Sequence, residues 1–260
     1  MRRSDALVAL VALLCLGTVG VLWWRTPSAS RADPAAAAAT EASDATHGEG
    51  AVVGDASTQA APLRDLAAIR AVLTRDAAGT YIGDILALRD SNVARWPSRT
   101  ANPVRVWIDE RSQTPGFSSA FPSDIRRAFA DWGRAGAPLA FTFISDSASA
   151  DVTVTFRERF EEPISGRTRW VRDPHWWIVG GDIVLALRTP MDRVVTAPQL
   201  YAIALHEIGH LLGLDHTRDT SAVMAPRVSA LQLTPADVAT MRLIYTIPPG
   251  SVRARTPDEP

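Results

Sequence analysis

The sequence predicts an α+β fold, in which a mixed, twisted sheet carries a histidine-bearing helix and is followed by a C-terminal helix. Three observations predict it. Segments at residues 104–108, 139–144, 152–156 and 182–187 read as strands, short and bounded by turn residues. Segments with helical apolar spacing lie both between these strands and after them. Apolar residues make up 47% of the 260-residue chain and charged residues 21%, which allows one sizeable core.

Taken from the N-terminus, residues 6–24 are nearly all apolar, with Arg2 and Arg3 before them and Trp23, Trp24 and Arg25 closing the run. At about 1.5 Å per residue such a run just spans a bilayer core. The basic N-terminal flank predicts an N-inside orientation, and the paired tryptophans suit the far interface. Residues 1–25 are therefore read as an N-terminal membrane anchor or, if cut near Ser28-Ala29-Ser30, as a signal segment. The anchor leaves the domain held outside the cytoplasm, periplasmic or extracellular; cleavage leaves it secreted. A lipoprotein reading is weak, because Leu14 and not a small residue precedes Cys15.

Residues 26–61 are rich in Ala, Ser, Thr, Gly and Asp and are expected to form a disordered linker, with His47 solvated. Residues 62–99 are expected to be a helical N-terminal extension. Its first helix, over 62–74, carries Leu63, Leu66, Ile69 and Leu73 on one stripe. Residues 81–96 read either as a second helix or as a segment lying on the domain.

The main folded domain is expected over 100–247, starting with the strand at 104–108. Ser123 is placed to cap a helix running to about Ala135, whose apolar face is Ile125, Ala128, Phe129 and Trp132. Strands are expected at 139–144 and 152–156, with a further one at 168–171. Gly180-Gly181 introduces the strand at 182–187. Thr196 begins a helix to about Leu212, with Pro198 in the first turn and Gln199 completing a capping box. Thr234, Pro235 and Asp237 mark the start of a last helix ending near Tyr245. Residues 248–260, rich in proline and charge, are expected to be a flexible tail.

The net charge of −1 gives no basic stripe, so a nucleic-acid partner is not expected. Cys15 is the one cysteine, so the chain beyond it has no internal disulfide, thiol-ligated zinc or cysteine nucleophile.

Three of the five histidines fall in one window, residues 206–216, which reads His-Glu-Ile-Gly-His-Leu-Leu-Gly-Leu-Asp-His. His206 and His210 are four apart on a predicted helix, so both rings leave one face about one turn apart. That spacing lets two imidazole nitrogens reach one ion at about 2.0–2.1 Å each. Glu207 sits beside the first ligand without being needed as one, where a carboxylate serves as general base for water. Gly213 has no Cβ and can take positive φ, which stops the helix and turns the chain. The turn returns His216 as the third ligand and leaves the fourth position open, as a catalytic zinc site requires.

This window resembles the zinc-binding signature of the metzincins and, within them, of the matrixins, the matrix-metalloproteinase family. Downstream, Ser221-Ala222-Val223-Met224-Ala225-Pro226 resembles the matrixin turn that carries a methionine beneath the metal. Leu233-Thr234-Pro235-Ala236-Asp237-Val238, with Leu243-Ile244-Tyr245, resembles the closing helix of the family. The resemblance covers about residues 100–246.

It implies a metzincin-like catalytic domain split by a cleft, with an extended protein or peptide substrate lying along an edge strand. It implies one catalytic Zn2+, and a hydrophobic pocket beside it to which Met224 and Pro226 map. It also marks departures. The zinc-capping cysteine of the family has no counterpart just before the domain, since Cys15 lies in the apolar run; Asp90 could cap the zinc instead, although a solvated loop residue is the far commoner role for such an Asp. Only His175 lies where the family holds a second, structural Zn2+, so that ion is not expected. The short stretch before the catalytic helix leaves Ca2+ open. The paired Asp of the closing helix stands here as Ala236-Asp237. Trp176 and Trp177, beside His175, are read as core residues ahead of a cleft-lining role.

The function expected is a zinc-dependent endopeptidase acting as a monomer. The alternatives are a zinc amidase for small or cell-wall peptides and an inactive anchored binding module.

Overall fold

The structure, a computed structural model, describes residues 52–53 and 60–253. The apolar N-terminal run, His47 and most of the tail lie outside the described residues. Among the described residues, no helix is long and apolar enough to cross a membrane.

In chain order the elements are β1 (Val52–Val53), α1 (Leu66–Asp76), α2 (Ile82–Leu88), β2 (Asn92–Val93), β3 (Arg99–Ile108) and α3 (Phe121–Arg134). Then come β4 (Leu139–Phe143), β5 (Val152–Arg157), β6 (Gly166–Arg172), β7 (Ile178–Ala186), α4 (Ala197–Leu211), α5 (Pro235–Thr246) and β8 (Gly250–Ser251). The main sheet has six strands in the order β1-β6-β7-β5-β3-β4. Only the β6–β7 pairing is antiparallel; the other neighbours run parallel. The mixed sheet of an α+β fold is therefore present.

One face of this sheet is covered by α3 and α4. The predicted apolar face of α3 (Ile125, Ala128, Phe129 and Trp132) is buried. The indole N–H of Trp132 donates to Leu205 O of α4 at 2.8 Å, so the largest side chain between the helices also has its polar atom satisfied. Helix α4 is buried along nearly its whole length, as a helix apolar on every side must be. Capping boxes start both α4, through Thr196 and Gln199, and α5, through Thr234 and Asp237.

Several expectations are corrected. Helix α1 begins at Leu66 with Asp65 as its cap, so Leu63 precedes it and is 98% exposed. Ser123 is not a cap. Helix α3 begins at Phe121 with Pro122 in its first turn, so Ser123 already lies inside it. Gly180-Gly181 lies within β7, which starts at Ile178, where Leu211 of α4 packs closely on the sheet. Val52–Val53, inside the expected linker, pairs in parallel with Val171 and Arg172 of β6. Gly250–Ser251, inside the expected tail, pairs antiparallel with Asn92–Val93. In both cases a two-residue stretch adds a short pairing to a backbone edge.

Residues 81–96 contain both candidates left open by the sequence. They form α2, a turn through Asp90 and Ser91 at positive φ, and then β2. Ile82, Ile85, Val93, Ala94 and Trp96 are buried in the same hydrophobic cluster as Ile203, Ile208 and Leu211 of α4.

Candidate metal centre

The site starts from how α4 ends. Gly213 adopts φ +97. Its N–H donates to His210 O at 2.9 Å and the next N–H, from Leu214, donates to Gly209 O at 3.0 Å. These two bonds form a Schellman motif, which satisfies carbonyls the helix end would leave open. A Cβ on Gly213 would also lie 2.1 Å from Ala94 O. Glycine is thus required twice, by the left-handed backbone and by the close approach of the 81–96 segment.

The remaining carbonyls at this end are capped by side chains. Trp96 donates its indole N–H to Leu211 O at 2.8 Å, and Tyr245 its hydroxyl to Leu212 O at 3.1 Å. Arg89 serves Gly213 O at 2.7 Å and Leu214 O at 2.8 Å.

The sharp turn brings His216 back to His206 and His210. Their ligand nitrogens all lie within 4.8 Å of one another, and all three residues are buried. His206 Nε2 is 3.1 Å from His216 Nε2 and 3.1 Å from His210 Nε2. Two nitrogens bound tetrahedrally at about 2.0–2.1 Å would stand roughly 3.3 Å apart, so the spacing fits one zinc-sized ion. His206 Nδ1 lies 2.8 Å from Val223 O. A carbonyl only accepts, so the proton sits on Nδ1 and the Nε2 lone pair faces the other rings. His210 Nδ1 likewise faces Leu214 O at 3.3 Å. The donor set and its orientation fit a zinc ion.

Val223 is held in turn. Its N–H donates to Asp237 Oδ2 at 3.1 Å, and Asp237 also accepts from Thr234 and from the Tyr81 hydroxyl at 3.0 Å. The single Asp of α5 thus ties the turn beneath the site to the last helix and to residue 81. Met224 is fully buried, with its Sδ against Gly209 of α4, and its carbonyl accepts from Thr217 N at 3.0 Å. Pro226 follows on the same turn, half-buried.

Glu207 is fully buried on α4 beneath β6. Thr168 Oγ1 donates to its Oε2 at 2.6 Å, while Oε1 has no hydrogen-bond partner among the described residues. Burial pushes the carboxyl up to about 7, against the opposing pull of the Thr168 hydrogen bond and the Arg167 charge. Gly166 makes this approach possible, since a Cβ there would lie 2.3 Å from Glu207 Oε1. Neither Gly166 nor Thr168 stood out in the sequence. They act through strand register, which no local pattern encodes.

The other candidates fall elsewhere. Asp90 is exposed and paired with Arg253 at 2.6 Å, and does not cap the site. His175 is outside the group of three, its N–H donating to Asp173 Oδ1. Trp176 packs against the core under Arg172, and Trp177 is half-buried under Arg95.

The sequence model of the family described as matrixin matches residues 108–246, just over half of the chain. The chain belongs to the matrixin family. Among matrixin relatives, metalloendoproteinase 1 of Glycine max is 28% identical over 189 residues, which cover 65% of this chain and 57% of that protein. Metalloendoproteinase 2-MMP of Arabidopsis thaliana is 28% identical over 177 residues, covering 60% and 44%. Neutrophil collagenase of Homo sapiens is 30% identical over 163 residues, covering 58% and 34%. The chain spans about half the length of the first curated relatives it matches. The matrixin match takes in all three histidines, Glu207, Met224 and Asp237, but starts after residues 81–96.

Proposed function

We propose that this chain is a zinc-dependent endopeptidase in which His206, His210 and His216 hold the ion and Glu207 is the general base. The observation that carries the reading is the convergence of three buried imidazole nitrogens within 4.8 Å. Bound there, zinc supplies a Lewis acid that acidifies water and polarises a peptide carbonyl. Glu207 has one oxygen fixed by Thr168 and the other without a partner among the described residues, so it takes a proton at Oε1 as water attacks. A carboxyl near neutrality is suited to return that proton to the departing amine.

The β6 edge beside Glu207 is the proposed seat of an extended peptide, added as a strand along residues 166–170. Among the described residues, β1 pairs with this edge only farther along, at Val171 and Arg172. Gly213, Met224 and Pro226 are assigned to shaping the site and its pocket. The catalytic unit is taken to include residues 81–96 with 100–247. Residues 1–25 are proposed to carry the domain out of the cytoplasm, as an anchor or a removed signal, and the apolar run at 6–24 supports that reading.

The test uses the full chain, wild type and Glu207→Ala, with a denatured protein as substrate. Wild type is expected to cleave it and to stop on chelation, while Glu207→Ala keeps its zinc and loses a hundredfold to ten-thousandfold, roughly, in rate. Turnover by Glu207→Ala close to wild type would remove Glu207 from the mechanism. Cleavage of short amides but not of protein chains would favour the amidase reading.

A further inference from the structure

His216 reaches the metal position from a loop, whereas His206 and His210 are carried by α4. A ligand on a loop is placed only as well as the loop is held. Both flanks of this one are held by one short helix and the residue that follows it, outside the family match.

On the N-terminal flank, Arg89 follows directly after α2. Its Nε donates to Asp215 Oδ2 at 3.0 Å, its Nη1 to Gly213 O at 2.7 Å and its Nη2 to Leu214 O at 2.8 Å. Asp215 passes the constraint on, since its Oδ1 accepts the backbone N–H of His216 at 2.8 Å. The Arg89 and Asp215 side chains are only 11% and 8% exposed, and the guanidinium lies 5.4 Å from the Trp170 ring of β6. On the C-terminal flank, Asp84 of α2 accepts at Oδ2 from Thr217 Oγ1 at 3.0 Å and from Arg218 N at 3.1 Å. The two residues before His216, Gly213 one position further back, and the two residues after it are thus bonded to residues 84 and 89.

A fork that serves two successive carbonyls and a carboxylate fixes their mutual geometry, which an ammonium on a flexible stem does not. The pair is also buried, where ionic partners add little net stability, so its value lies in the geometry it sets.

We propose that Arg89 and Asp84 are positioning residues for the third metal ligand, with α2 clamping residues 213–218 so that His216 faces its two partners before an ion arrives. The proposal rests on the zinc reading and extends it, because it makes residues 82–89 part of the metal centre. Removal of this segment then disables the site and does not release it.

Zinc affinity of the full chain, measured by competition with a chromophoric chelator, tests the clamp, with the cobalt(II) absorption spectrum reporting ligand geometry. Arg89→Met and Asp84→Ala are expected to bind zinc about tenfold to a hundredfold more weakly, with an altered cobalt spectrum. Arg89→Lys is expected not to restore the affinity. Arg95→Met is the control. Arg95 belongs to the same segment, but its Nε serves Ile247 O, away from the loop, and wild-type affinity is expected.

Zinc binding by Arg89→Met and Asp84→Ala within about twofold of wild type, with an unchanged cobalt spectrum, overturns the clamp. So does an equal loss in Arg95→Met, which would mean general loosening. If Arg89→Met does not fold, Asp84→Ala decides alone, since that side chain is partly solvent-exposed. A wild-type chain without zinc sinks the metal reading and the clamp with it. A zinc-binding wild type beside unaffected variants sinks only the clamp.

Discussion

Glu207 is the residue on which burial acts most directly. Its carboxyl is pushed from 4.5 up to about 7 in the metal-free chain. Within that window the folded chain holds a proton that the unfolded chain has released, so stability falls as pH rises. Below the window both states are protonated and nothing is lost; above it the full loss of roughly 3 kcal/mol is present. Glu207→Gln removes this dependence while leaving the histidines in place. In chelator-treated protein the variant is expected to melt roughly 5–10 °C above wild type near pH 8, and close to it near pH 4. Parallel melting curves at both pH values would show that the carboxyl is not held in an apolar setting. Thr168 pulls the other way, because its hydroxyl favours the charged form. Thr168→Val should therefore move the acidic limb of the rate profile to higher pH, read from kcat/KM between about pH 5 and 8. An unmoved limb would remove Thr168 from the tuning of Glu207.

Helix α4 is fixed at the level of elements by groups that neighbouring elements send to its carbonyls. Trp132 serves Leu205 O from α3 and Trp96 serves Leu211 O from the strand side. Trp96→Phe keeps one aromatic ring but strips the N–H and part of the buried indole, leaving Leu211 O without that donor beside a small cavity. A loss of about 2–5 kcal/mol, from the lost hydrogen bond and the cavity together, is expected in denaturant unfolding of the metal-free chain. A change inside experimental error would mean that water replaces the indole.

What the sequence made legible at this scale follows from what is local. The Thr196 and Thr234 capping boxes, the Ile125-to-Trp132 face and the α4 histidine spacing all lie within a turn or two of chain, and all were read. The Ser123 cap was misread because Pro122 starts α3 earlier. The short strands β1, β2 and β8 were not read, because two residues carry no periodicity and each exists only through its distant partner. Arg89 and Gly166 were invisible for the same reason. Their partners lie 124 residues away for the Arg89–Gly213 bond, and on another element for the Gly166–Glu207 contact.

Across the whole molecule, residues 81–96 are not an appendage. Trp96, Ile85 and Val93 are fully buried in the common core, Tyr81 bonds Asp237, and β2 pairs with β8 near the chain end. A chain shortened past residue 96 would expose this core and lose the partners of Leu211, Gly213 and Leu214. It is expected to be recovered aggregated and without zinc, by metal analysis of whatever soluble fraction remains. A soluble, zinc-loaded and active shortened chain would show that the segment only covers a domain complete without it.

Three histidine rings meeting at one ion carry the proposed chemistry. Zinc-edge X-ray absorption of the purified full chain measures this directly, with His216→Ala beside it. Wild type should show three imidazole nitrogens at about 2.0–2.1 Å from zinc, and His216→Ala should lose one of them or the metal altogether. A wild-type chain without zinc, or a His216→Ala spectrum identical to wild type, would contradict it.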